Sequence, residues 1–367
     1  MRFHVISLPH TNTTETFASC AFTEKVRKFC IMMKGLGHTV YLYAGETNEA
    51  PCDEFITCIS EAERVAGLGN RHFTQASFDY SQPHWTTFNT NAVREIGLRK
   101  QQKDFICLIG GLANKVIADA HPELMTVEFG IGYPGTFAKY RVWESYAWMH
   151  TCYGSAHPWK PQDIDGQWFD AVIPSYFEPE KFPFAKYDER KNNYFLFMGR
   201  MEDRKGIHFV ADVCKCKGVR LIWAGAGTPP SYGEYVGVAD SKKRGELMSG
   251  AQAIFVPTVY VEPFGSVAVE AMMCGTPVIT TDWGAMTETV IDGVTGFRCR
   301  SFAEFCDAVD NVHKLNNREI RKYAIRNYSL EAVAKKYQRY FERLSTLWGK
   351  GWYEMGSAKP IADLNAA

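Results

Sequence analysis

The chain has 367 residues, more than a single hydrophobic core usually organises, so two domains are expected. Apolar residues make up 46% and charged residues 22%, a globular balance that excludes a disordered chain. Lys plus Arg equals Asp plus Glu at 41 each, so no global field recommends nucleic acid or an anionic membrane as a partner.

MRFHVISLPH opens on a strand, FHVISL, without the long apolar core of a signal peptide. No run nears the length that spans a bilayer, and the expectation is a soluble, cytoplasmic protein. TEKVRKFCIMMKGLG sets Val26, Phe29, Cys30 and Met33 on one helical stripe, with Gly37 as its stop. TVYLYA, FITCI, DFICLIG and LMTVEF supply further strands, whereas residues 60 to 95 are polar and aromatic and read as short helices and loop. AVIPSYF reads as the last strand of this half, and FEPEKFPF, with two prolines, as an interdomain linker.

The alternation then restarts with NYFLFMG, a helix from about Ile207, VRLIWAG, QAIFVP and TPVITT. The tail SLEAVAKKYQRYFERLSTLW places Val333, Tyr337, Tyr340, Phe341, Leu344 and Trp348 on one face, with Ser329 as N-cap. Strands alternating with helices predict parallel sheets, and two such runs predict an α/β protein of two Rossmann-like domains facing across a cleft. The expected division is 1–177, completed by the tail helix 335–367, and 178–334. Of the eleven cysteines, Cys30, Cys107, Cys214 and Cys274 lie in apolar periodic segments, where a thiol behaves as a small hydrophobe. Cys214 and Cys216 are too close for a zinc knuckle, so reduced thiols and no metal are expected.

The chemistry concentrates in VEPFGSVAVEAMMCGTPVITTD. Pro263 cannot donate a hydrogen bond, so a helix should start at or just after it and leave the N–H groups of Phe264, Gly265, Ser266 and Val267 free. Such a terminus binds anions, and Gly265 lets a phosphate come close. Glu270, one turn in, is placed to accept ribose hydroxyls, and Glu262, at the helix mouth, to meet a sugar attached to the phosphate. FLFMGRMEDRKG adds Arg200 and Lys205 at another strand-to-helix turn, a planar fork and a mobile point charge for phosphate oxygens. WAGAGTPP supplies Gly225 and Gly227 at a third turn, where Gly-x-Gly also serves plain chain reversal.

The Gly-Arg…Lys-Gly turn and the Glu-x7-Glu helix resemble family 4 of the glycosyltransferases, retaining enzymes of GT-B fold, most specifically over residues 194 to 300. The resemblance implies a nucleotide diphosphate sugar as donor and no metal or other cofactor. It also implies diphosphate contacts from Arg200 and Lys205, ribose contacts from Glu270, and orientation of the transferred sugar by Glu262. The backbone near Val238 and Ala239, in YVGVAD, would read the nucleobase, and the tail helix would cross back to the first domain.

The first half departs from the family pattern. It carries LPHTNTTETFASCAF where many members have a Gly-Gly loop, and Glu128, not His, near TVEFGIGYPG. Glu128, either cleft-facing or a rim charge, and His10, directly after the first strand, are the acceptor-side catalytic candidates. Glu144, Trp148 and His150 read as packing and surface residues of a helix WESYAWMH. Asp163-Ile-Asp165 mimics the metal signature of the other major glycosyltransferase fold, but sits in a turn-rich loop. The acceptor is open: a glycan, a lipid-linked sugar, a small molecule or, as the alternative that brings in nucleic acid, a hydroxymethylated DNA base. A phosphorylase or epimerase, and a catalytically silent nucleotide-sugar-binding subunit, are the readings of other classes.

Overall fold

The computed structural model describes residues 1–76, 78–156, 160, 164–185 and 193–348, and its strands form two sheets. The first holds β1 (Arg2–Ile6), β2 (Thr39–Ala44), β3 (Glu54–Thr57), β4 (Phe105–Leu108), β5 (Met125–Ile131), β6 (Tyr140–Trp143) and β7 (Ala171–Val172), in the order β3-β2-β1-β4-β5-β6-β7. The second holds β8 (Phe195–Met198), β9 (Leu221–Ala224), β10 (Glu234–Tyr235), β11 (Ile254–Val256), β12 (Val278–Thr281) and β13 (Gly296–Cys299). Its order is β10-β9-β8-β11-β12-β13, with every neighbouring pair parallel. Both are the Rossmann order. The chain changes direction of travel between β1 and β4 and between β8 and β11, and such sheets bind ligands at that switch, outside the carboxyl ends of the strands.

The helices are α1 (Ala21–Gly35), α2 (Glu61–Leu68), α3 (Pro83–Arg99), α4 (Lys115–Asp119), α5 (Tyr146–Ala156), α6 (Ile207–Lys217), α7 (Ser241–Gly250), α8 (Ser266–Met273), α9 (Met286–Thr289), α10 (Phe302–Asn311), α11 (Asn317–Tyr328) and α12 (Leu330–Ser345). Among the described residues none is long and apolar enough to cross a membrane. By compactness the chain divides into Met1–Val127 with the described tail from Ala334, and Glu128–Val333.

Period-two alternation builds the second sheet's core. Leu196, Met198, Ile222, Ala224, Ile254 and Val256 join residues of α7, α8 and α11 in one buried cluster. The intervening Phe195, Phe197, Leu221, Trp223 and Phe255 join α6 and α10 in another. A strand covered on both faces reads as a continuous apolar run, which is why FLFM and LIWA show no polar alternation. Each fully buried large side chain contributes about 1.5–3 kcal/mol.

In the first unit, α1 buries Val26, Phe29, Cys30 and Met33 as its stripe predicts. The face of α12 packs there too, with ring centroids 4.6 Å apart for Phe341 and Phe3 and 5.3 Å for Tyr337 and Phe29. Ser329 caps α12 by accepting a hydrogen bond from the Ala332 N–H at 3.2 Å. All eleven cysteines are free, and Cys30, Cys107, Cys214 and Cys274 are buried.

Three local expectations are corrected. Residues 60 to 95 are not mainly loop, for they contain α2 and most of the long α3. The buried face of α3 is His84, Trp85, Phe88, Asn89, Ala92 and Ile96, and its two polar members hide the apolar period. Asn89 is admitted there because its amide donates to the Ala113 carbonyl at 2.7 Å and accepts from Asn114 at 3.0 Å. AVIPSYF is a strand only at Ala171–Val172. Within WESYAWMH, Trp143 ends β6 and the helix starts at Tyr146, so buried Glu144 lies in the turn between them.

Candidate functional site

The turns after β8 and β11 converge in the second unit. The Val259 N–H donates to the Arg204 carbonyl at 2.9 Å, and the Met201 N–H to Ala226, after β9, at 2.8 Å. Gly225 is required here: with φ at 141°, a Cβ would lie 1.8 Å from the Gly199 carbonyl oxygen. Gly225 and Gly227 thus let the β9 turn press against the turn that carries Arg200.

The expected residues cluster at these turns. The Lys205 ammonium lies 3.0 Å from a Glu262 carboxylate oxygen and donates to the Tyr260 hydroxyl, which itself donates to Glu262. The Arg204 guanidinium sits 4.0 Å over the Tyr260 ring. Burial and the adjacent Glu262 push the Tyr260 hydroxyl well above its ordinary pKa, so it remains a hydrogen-bond donor. Arg200 is exposed at 71% of its side chain and meets Glu202 at 3.0 Å, a contact weak enough to be exchanged for a ligand anion.

Helix α8 begins at Ser266, with Gly265 as its N-cap in the left-handed region at φ 82°, slightly later than Pro263 suggested. Among the described residues the N–H groups of Phe264, Gly265, Ser266 and Val267 have no acceptor, which leaves an open anion-binding terminus beside Glu262. The Phe264 side chain is buried in the core, so only its backbone is available. Pro263 is held through its carbonyl, which accepts from the Ser145 hydroxyl at 2.6 Å.

Glu270, one turn along α8, is ion-paired with Arg244 of α7. Val238 is 74% exposed and Ala239 half-buried, between β10 and α7. Asp240 caps α7 by accepting from the Lys243 N–H at 2.8 Å. Tyr260 and Arg244 escaped the sequence reading. Tyr260 had a signal only in its closeness to Glu262, two residues on in VYVEP. Arg244 had none, because SKKR does not say which of its cations faces inward.

The acceptor-side candidates lie elsewhere. Glu128 is not a rim charge but fully buried within β5, where one carboxylate oxygen accepts from the Phe137 N–H at 2.9 Å and the Ala138 N–H at 2.8 Å. Desolvation raises its pKa, and its geometry is that of a brace for the segment after β5. His150 is exposed on α5, Asp165 is exposed, and Asp163 lies outside the described residues.

His10, in the first unit, is 2% exposed, and its Nδ1 has no partner among the described residues. Burial, with the positive charge of Arg64 nearby, pushes its pKa down to about 4, so it stays neutral in the fold. An unfolded histidine takes up a proton from pH 6.5 downward. The stability that neutral His10 contributes is therefore intact above pH 6.5 and lost as pH falls from 6.5 towards 4, by about 3 kcal/mol at most. Urea unfolding of wild type and His10→Gln over that window should show the difference as a flatter slope in the variant.

A comparison with protein families falls on the same residues. Residues 192–314 match the family described as glycosyl transferases group 1. Glycogen synthase of Mycobacterium tuberculosis is 33% identical over 162 residues, covering 38% of this chain and 39% of the relative, so the chain spans about two fifths of that protein's length. Sucrose-phosphate synthase of Thermosynechococcus elongatus has a similar structure, with a TM-score of 0.66 at 15% identity over 94% of this chain and 99% of the other. The Anabaena protein HepE, solved in complex with UDP and glucose, has a TM-score of 0.59 at 16% identity over 95% and 100%. The fold is accordingly α/β of the GT-B kind, and residues 192–314, which carry Arg200, Lys205, Glu262 and Glu270, are this chain's match to glycosyl transferases group 1.

Proposed function

We propose that this chain is a retaining, metal-independent glycosyltransferase that moves a hexose from a nucleotide diphosphate sugar to an acceptor hydroxyl of a glycan, a lipid-linked sugar or a small molecule. The observation that carries the reading is the Lys205–Glu262 pair at the mouth of α8, beside four backbone N–H groups without an acceptor. Arg200, Lys205 and those amides would hold the diphosphate, Glu262 the sugar, Glu270 the ribose, and the Val238–Ala239 backbone the base. The 1–177 half with its tail would then serve the acceptor and the 178–334 half the donor. The solved complex of HepE with UDP and glucose supports a nucleotide-sugar donor. The free thiols support a cytoplasmic setting.

In the step itself the bond from the anomeric carbon to the β-phosphate oxygen breaks and a bond to the acceptor oxygen forms on the same face. The acceptor proton passes to the leaving phosphate. Charge gathers on that phosphate, where fixed cations and amides lower the barrier most. His10 is buried and Glu128 is committed to backbone N–H groups, so this proton is assigned to neither side chain.

Thermal shift with a panel of nucleotide sugars, followed by mass spectrometry of products, tests the reading. Ligand at a hundred times its Kd adds about 2.7 kcal/mol. Activity should survive exhaustive chelation, and proton NMR of the early product should show the donor's anomeric configuration. Activity restored only by manganese, or an inverted anomer, contradicts the proposal.

A further inference from the structure

The pair between Arg244 and Glu270 joins two helices at the site, and its chemistry is unusual for its location. Glu270 sits one turn inside α8, whose open N-terminus, with Lys205 and Arg200, is built for anions. An uncompensated carboxylate there would repel a diphosphate. Arg244, near the start of α7, contacts one Glu270 oxygen, Oε2, and the negative charge of Glu270 raises the Arg244 pKa, so the pair holds opposite charges. The other oxygen, Oε1, has no partner among the described residues, and the two side chains remain partly open, at 34% for Arg244 and 17% for Glu270.

Resting on the donor-site reading above, we propose that Arg244 is a positioning residue for ribose selection. It cancels the Glu270 charge, so that the carboxylate does not oppose the diphosphate. It also locks the carboxylate so that the free oxygen faces the ligand as an acceptor for paired hydroxyls. A locked acceptor of near-zero net charge favours neutral O–H donors, the 2′- and 3′-hydroxyls of a nucleoside diphosphate. It penalises a nucleotide lacking them, because the free oxygen is then desolvated without a partner. Helix α7 follows directly on the Val238–Ala239 strip, so nucleobase and ribose contacts would come from one continuous segment.

The test is calorimetric titration of wild type, Arg244→Ala, Arg244→Gln and Arg244→Lys with UDP, GDP and ADP and with their 2′,3′-dideoxy counterparts. Folding of each variant is checked by thermal unfolding, and if the alanine form does not fold, the glutamine and lysine forms carry the test. Wild type should prefer the ribonucleotide by roughly tenfold or more, as expected for loss of charge-assisted hydrogen bonds. The alanine and glutamine variants should weaken both nucleotides, because the bare Glu270 charge then opposes the diphosphate, but the ribonucleotide more, compressing the preference to within about threefold, and lysine should restore part of it. A preference unchanged in the variants overturns the proposal. So does an equal weakening of both nucleotides, which would mean a phosphate contact or general damage. Wild type that binds without preference overturns the ribose assignment and leaves donor binding standing, whereas wild type that binds none of the nucleotides or nucleotide sugars removes the donor-site reading itself.

Discussion

Lys205→Ala should lower kcat/KM by about 10²- to 10³-fold, the cost of removing one preorganised charge donor from a developing oxyanion. The expectation rests on placement. The ammonium is held by both Tyr260 and Glu262, and it lies beside the open end of α8. A leaving diphosphate gathers negative charge in the transition state, so most of the loss should fall on kcat rather than on donor binding. Arg200→Ala should cost less, since its exposed side chain works in high dielectric and must be ordered on binding. The fold should survive the lysine change, because the Lys205 and Glu262 side chains are 21% and 16% exposed and water can reach the remaining carboxylate. Steady-state kinetics with matched thermal unfolding decides the matter, and activity within a few-fold of wild type would remove Lys205 from the site.

The two glutamates should fail differently. On the proposed donor reading, Glu270→Ala removes charge-assisted hydrogen bonds to ribose, on the order of 1.5–3 kcal/mol each, that would exist in ground and transition states alike. Its effect should be a donor KM raised by tenfold or more, with matching loss of nucleoside diphosphate affinity. On the same reading Glu262→Ala acts on the sugar undergoing transfer, and it also releases the Lys205 ammonium and the Tyr260 hydroxyl from their shared partner. Its loss should fall on kcat, while free nucleoside diphosphate binds nearly as before. Both carboxylates lie at or within one turn of the α8 N-terminus, where either also interacts with the helix dipole, so the variants are compared only after unfolding curves show intact folds. Equal effects of the two substitutions on KM and kcat would show that they do not touch separate parts of a donor.

Much of the architecture was legible because its signals are local. FLFM and LIWA are apolar runs each followed by a glycine, the pattern of strands buried on both faces. The α12 stripe repeats cleanly at helical spacing, and Pro263 and Gly265 mark the turn between β11 and α8. α3 was illegible because His84 and Asn89 occupy its inner face, and whether a polar side chain is admitted to a core depends on a partner far away in sequence, here Ala113 and Asn114.

The residues alone determined that this is an α/β chain of two alternating halves, with a helix starting just after Gly265 and cations at Arg200 and Lys205, because periodicity, proline and glycine act on their immediate neighbours. Only the tertiary structure decided the pairings: Tyr260 shared between Lys205 and Glu262, Arg244 set against Glu270, and Glu128 turned inward onto the N–H groups of Phe137 and Ala138. Each depends on burial and on distances between segments that are remote in the chain, and a charge behaves as a brace, a ligand contact or a solvated rim according to those distances.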